Sequence, residues 1–173
     1  MGCSSVEALG QQSEHLMSGV SGTRILLAED NLINQKLAAR ILEKMGNRVS
    51  LAPTGKKAFE MVQEEYFDLV FMDVQMPEMD GYAATGAIRE WEKSQGRHIP
   101  IIAMTANAMK GDRELCLEIG MDGYVAKPIN QKEVQDAMQQ VMLDLADTQF
   151  ADSGHLVKSI YNFGTPSPRR HDQ

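Results

Sequence analysis

The chain has 173 residues, 43% hydrophobic and 24% charged, with a formal net charge of −7. That length allows one domain with a proper core plus tails, and the acidic balance argues against nucleic acid as a partner, since its backbone demands clustered Lys and Arg. No apolar run approaches the length of a membrane span, so this segment is expected to make no membrane contact.

Residues 1–22, rich in Ser, Gly and Gln, read as a flexible leader with a short helix around Val6–Leu16. They carry no basic-then-apolar secretory pattern. Val6 stands where a myristoylation signal wants Ser or Thr. The two cysteines, Cys3 and Cys116, form no disulfide framework and suit a reducing, cytoplasmic setting.

A regular alternation follows over 23–146. The run Arg24–Ala28 predicts a buried strand. Asn31 is placed to cap the next helix, with Ile33, Leu37, Ile41 and Met45 recurring at spacing four, Ala38 and Leu42 beside them, and Gly46 closing it. Arg48–Ala52 is the second strand, and a helix over about Gly55–Tyr66 turns Ala58, Phe59 and Val62 inward. Asp68–Met72 is the third strand. Pro77 and Asp80-Gly81 then make a turn before a helix over about Tyr82–Lys93. Pro100–Met104 is the fourth strand. Its helix, about Ala108–Ile119, turns Leu115, Cys116 and Ile119 inward and stops at Gly120. Gly123–Lys127 is the fifth strand, and a last helix over about Gln131–Leu145 repeats Val134, Met138, Val141 and Leu145. Residues 147–173 read as a C-terminal tail ending in "GTPSPRRHDQ", whose basic residues are expected to be solvated.

Short apolar strands alternating with helices predict an α/β fold with a doubly wound parallel sheet, both faces of strands two to four being covered. Function in such sheets gathers at the carboxyl ends of the strands. There the chain places Glu29 and Asp30, then Asp73, then Thr105, then Lys127 followed by Pro128. Three converging carboxylates repel unless a cation neutralises them. Oxygen ligands without His or Cys indicate Mg2+ or a similar divalent ion, not zinc. One carboxylate remains as nucleophile, with Lys127 balancing charge and Thr105 donating a hydrogen bond. The chemistry is metal-assisted phosphoryl transfer onto a carboxylate.

The segments "ILLAEDNLINQKLAARILEKMG", "VFMDVQMPEMDGYAATGAIR", "IPIIAMTANAM" and "GMDGYVAKPI" together resemble the receiver domain of two-component response regulators, most of all those attached to hybrid sensor histidine kinases. The resemblance implies a flavodoxin-like (βα)5 fold with strand order 2-1-3-4-5, an arrangement for which a receiver is a standard example. It further implies Asp73 as phospho-acceptor. Mg2+ would be held by Asp30 and Asp73 directly, by Glu29 through water and by the Gln75 backbone carbonyl. Lys127 would contact the phosphoryl group, Thr105 and Tyr124 would be the switch pair, and Gln75 and Asn107 would tune phosphoryl lifetime. The Lys127-Pro128 bond is expected to be cis.

The expected function is a phosphorelay receiver taking phosphate from a histidine kinase or histidine phosphotransfer domain and signalling to an output protein through the fourth helix, fifth strand and fifth helix. It is not expected to be an enzyme beyond catalysing its own phosphorylation and dephosphorylation. The chain reads as the receiver part of a hybrid histidine kinase; alternatives are a stand-alone response regulator and a non-phosphorylated interaction module of the same fold. A haloacid dehalogenase-like phosphatase would want a second Asp where Gln75 stands and a nucleophile after strand one. Simpler roles compete at single residues: Thr105 as cap of the fourth helix, Tyr124 as a core aromatic, Asn31 and Asn34 as helix-start residues. Leu117 falls opposite the inward set Ala108, Leu115 and Ile119 and is expected to face water.

Overall fold

A computed structural model of the chain describes residues 22–107 and 109–151. The predicted leader with its helix around Val6–Leu16, Cys3, Ala108 and the basic end of the tail lie outside the described residues. The elements in chain order are β1 (Arg24–Ala28), α1 (Leu32–Lys44), β2 (Arg48–Ala52), α2 (Gly55–Glu64), β3 (Leu69–Asp73), α3 (Gly81–Gln95), β4 (Ile101–Thr105), α4 (Lys110–Ile119), β5 (Gly123–Ala126) and α5 (Gln131–Ala151).

The five strands are parallel in the order β2-β1-β3-β4-β5, the order the motifs imply. β3 and β4 are buried at every residue and β1 at all but Arg24. Alternate residues feed two cores, because successive side chains in a strand leave opposite faces. Ile25, Leu27, Leu69, Phe71, Ile102 and Met104 pack with α1 and α5. Leu26, Val70, Met72, Ile101 and Ala103 pack with α2, α3 and Cys116 of α4. β2 departs from the expectation of full cover: it is an edge strand with Leu51 44% exposed. β3 and β4 each begin and end one residue later than predicted. The shift makes Asp73 and Thr105 the last residues of their strands, so ladder hydrogen bonds hold their backbones.

Local chemistry sets the helix ends. The Asn31 side chain accepts from the Ile33 and Asn34 N–H groups, and Asp80 from Ala83 N–H, satisfying donors that a helix start leaves open. Asn130 does the same for Glu133 at the head of α5. α4 ends at Gly120, whose φ of +105° suits glycine. The start of α4 is bare: its N-cap is Met109, without a side-chain bond. Thr105 therefore does not cap this helix. α5 continues to Ala151, past the predicted Leu145.

Two inward faces differ from the spacing. In α1 the buried residues are Gln35, Ala38 and Leu42, while Leu32, Ile33 and Leu37 are exposed at 66%, 78% and 44%. A spacing of exactly four drifts around a helix of 3.6 residues per turn, so Ile33 and Leu37 leave the face that Leu42 occupies. In α4, Cys116 is the inward residue; Leu115 is exposed along with Leu117, and the latter is as expected.

At the amino ends of β4 and β5 a closed polar cluster ties α3 to the α4–β5 corner. Arg89 donates to the main-chain oxygens of Gly120 (2.7 Å) and Ile99 (2.9 Å), and to Glu92 and Asp122 (2.8 Å each). Asp122 also accepts from Ile101 N–H at 2.8 Å, and His98 Nε2 lies 2.6 Å from its other oxygen. These bonds to Asp122, with Glu92 close by, push the His98 pKa up to about 9.

Candidate functional site

Parallel pairing brings the carboxyl ends of the central strands into line. Ala28 lies opposite Met72, Asp73 opposite Met104, and Thr105 opposite Ala126. The residues that follow or end these strands, Glu29, Asp30, Asp73, Thr105 and Lys127, therefore share one edge. The turn after Asp73 folds back under it. Gly81 N–H donates to the Val74 oxygen at 3.2 Å, and a Cβ on Gly81 would stand 2.1 Å from the Asp73 carbonyl oxygen. Only glycine fits where α3 meets the end of β3.

Asp73 is 2% exposed. Lys127 Nζ lies 2.8 Å from its Oδ2 and 2.7 Å from Glu29 Oε2. The backbone N–H of Gln75 donates to Asp73 Oδ1 at 3.1 Å, and that of Asn31 donates to Glu29 Oε1 at 3.1 Å. Burial raises the Asp73 pKa, aided by the Glu29 charge and opposed by Lys127 and the Gln75 N–H. Burial pulls Lys127 down, but hydrogen bonds from its ammonium to Asp73 and Glu29 outweigh this and hold it above the ordinary lysine value. The ammonium is charged and shared by two carboxylates. The Lys127-Pro128 peptide is cis.

Glu29, Asp30 and Asp73 each offer a carboxylate oxygen within 4.8 Å of the others. One ammonium against three carboxylates leaves the edge electronegative. The donor set is all oxygen, which fits a hard cation of the Mg2+ type. Both oxygens of Glu29 are engaged, by Asn31 N–H and Lys127, whereas Asp30 is exposed and lines an open cleft with Gln75, Pro77 and Asp80.

Thr105 is 4% exposed, and its hydroxyl turns into the β4–α4 loop, donating to the Asn107 oxygen at 3.2 Å and accepting its N–H at 3.1 Å. Tyr124 lies on the same sheet face, half-buried against the core of α2 and α3, with the Arg113 guanidinium 5.2 Å from its ring centre. Gln75 and Asn107 are exposed at the mouth. Asn31 caps α1 as expected, and Asn34 borders a cleft between α1 and the β5–α5 loop. Sequence reasoning read Gly81 only as a turn residue, without its close approach to Asp73, and passed over Gln35. Gly81 follows directly on the turn residue Asp80, and Gln35 is the polar break in the inward face of α1.

The response regulator receiver domain family matches residues 25–139. A hybrid signal transduction histidine kinase of Dictyostelium discoideum is 50% identical over 114 residues, 63% of this chain but 7% of that protein, so the chain spans a small part of such relatives. The receiver domain of a Pseudomonas aeruginosa sensor histidine kinase, solved with magnesium coordinated in its active-site cleft, is 43% identical with a TM-score of 0.63, covering 70% of this chain and 98% of that one. The receiver domain of yeast Ssk1, solved in complex with the histidine phosphotransfer protein Ypd1, is 29% identical with a TM-score of 0.65, over 72% of this chain and 92% of that one. With the strand order, the acidic edge and the matched length in agreement, the chain belongs to the response regulator receiver family.

Proposed function

We propose that Asp73 accepts a phosphoryl group from a phosphohistidine donor. A carboxylate oxygen attacks phosphorus, the O–P bond forms as the P–N bond breaks, and the electron pair leaves on the imidazole nitrogen. The carrying observation is the buried Asp73 held between Lys127 Nζ at 2.8 Å and the Gln75 N–H at 3.1 Å. That geometry fixes the nucleophile and keeps a cation beside it. Asp30, Asp73 and the Gln75 carbonyl would hold Mg2+, with Glu29 acting through water; the ion, when bound, neutralises phosphoryl charge. Phosphorylation would draw the Thr105 hydroxyl from Asn107 toward the new oxyanion, and Tyr124 would follow, biasing a two-state equilibrium. Gln75 and Asn107, at the mouth, would govern access of hydrolytic water.

The protein is then a signalling receiver that catalyses its own phosphorylation and dephosphorylation. The domain spans about 23–146, and its parent is a cytoplasmic hybrid histidine kinase. The donor is a histidine kinase or histidine phosphotransfer domain. Leu32, Ile33 and Leu37 present an apolar rim on α1, beside a cleft of about 270 Å3 that includes Lys127, Pro128 and Ile129. This rim supports docking of a phosphotransfer domain across the acceptor mouth. The output surface is α4-β5-α5, where Leu117 is exposed next to a cleft containing Arg113, Tyr124 and Gln140.

Intact mass after incubation with acetyl phosphate and Mg2+ tests the reading. Gain of one phosphoryl group, lost in Asp73→Asn and in EDTA, is the expected outcome. No gain from acetyl phosphate or from a phosphorylated histidine phosphotransfer domain would overturn it and leave an interaction module.

A further inference from the structure

Gln35 lies on the inward face of α1 and is 7% exposed, on the stripe continued by Ala38 and Leu42. An amide there forgoes apolar burial and must find partners. Its Nε2 donates to the main-chain oxygen of Glu29 at 3.1 Å. The N–H of Glu29 donates to the Ala52 oxygen at 3.1 Å. Residue 29 is thus tied to β2 on one side and to α1 on the other. The Glu29 carbonyl belongs to the peptide plane that ends in the Asp30 amide, so holding that oxygen sets the direction in which Asp30 leaves the chain.

The two acidic neighbours differ in what aims them. Glu29 has both carboxylate oxygens bonded. The Asp30 side chain has no hydrogen bond or ion pair among the described residues. No bonded side-chain partner aims its carboxylate, and Gln35 holds the carbonyl of the peptide that leads into it. A ligand held this way needs a stiff mount, since small misplacement weakens ion binding.

We propose that Gln35 is the positioning residue for Asp30, holding the Glu29–Asp30 peptide so that the Asp30 carboxylate is presented to a divalent cation. This rests on the reading of Glu29, Asp30 and Asp73 as a Mg2+ site. Gln35 touches neither ion nor phosphoryl group; it acts through the main chain.

The test is calorimetric Mg2+ titration of the full chain and of two variants. Gln35→Met keeps length and loses the donor; Gln35→Glu keeps shape and replaces the donor with an acceptor. Ile88→Val, in the other core, controls for lost stability. The expected result is a Mg2+ Kd weakened about three- to tenfold in both Gln35 variants, as positioning partners of metal ligands cost up to about 10–100-fold, and unchanged in the control. Melting in EDTA shows whether each variant is folded. Wild-type affinity in a folded Gln35 variant overturns the role of Gln35 alone. A control that weakens equally, or failure of both Gln35 variants to fold, overturns it in favour of a structural residue. A wild-type chain that binds no Mg2+ at millimolar concentration overturns the metal site and this role together.

Discussion

Asp73 sits in a conflict between burial and charge. It is removed from water, shares one ammonium with Glu29 and faces Asp30. Its raised pKa means that the ionised form is disfavoured by folding, so the penalty is absent below the ordinary carboxylate value and grows as pH rises through the folded one. Asp73→Asn removes that charge with little change of shape. In EDTA at neutral pH the variant should melt a few degrees higher than wild type while accepting no phosphate, read by calorimetry and intact mass. His98 gives the opposite sign. Its pKa is raised to about 9, so its contribution is complete below about pH 6.5 and is lost as pH climbs through about 9. Because 42% of the side chain is exposed, about 1 kcal/mol is expected after screening. Urea unfolding at pH 6, 7.5 and 9 should show wild type more stable than His98→Gln at pH 6, with the gap closing by pH 9.

Elements were legible in the sequence to different degrees, for physical reasons. Strands that are apolar throughout announce themselves, because burial on both faces leaves no polar positions; hence β1, β3 and β4 were readable within a residue. The acidic edge was readable because each of its residues stands where an apolar strand stops. The face of α1 was not, since exposed Ile33 and Leu37 have the same spacing as core residues, and surface apolar residues carry no local mark. Leu115 misled in the same way. The cluster around Arg89 was invisible: Arg89, Glu92, His98 and Asp122 are ordinary surface-type residues on separate segments, and only the fold brings them together. That cluster makes an element-scale prediction. Arg89→Met takes the guanidinium from the nearly buried Glu92 carboxylate and from Asp122 and leaves them His98 as a cation, so the cost should fall at or below the lower end of the about 3–5 kcal/mol for breaking a buried pair. The denaturation midpoint should fall accordingly, with Mg2+ affinity at the far edge retained in the folded fraction.

For the whole molecule, an electronegative edge means that the metal-free fold carries repulsion that the single Lys127 ammonium relieves only in part. A cation that binds only the folded state stabilises it by mass action, by about 2.7 kcal/mol at a hundredfold excess over Kd. Mg2+ should raise Tm by several degrees, and EDTA should reverse the shift. Asp30→Asn should melt independently of Mg2+, because it removes the exposed member of the Glu29, Asp30 and Asp73 set. A scanning calorimeter reads all three outcomes.

The bare start of α4 and its bolted end have a mechanical consequence. Gly120 is held through its carbonyl by Arg89, while Met109 offers no side-chain cap. The helix is bolted at the end far from Asp73, while the end nearest it lacks a side-chain cap and rests on β5 through Arg113 over the Tyr124 ring. A tug on the loop beyond Thr105 is then converted into angular swing about the Gly120 anchor. Amide exchange should reveal the gradient as faster exchange over residues 111–113 than over 117–120, and the Arg89→Met variant should flatten it.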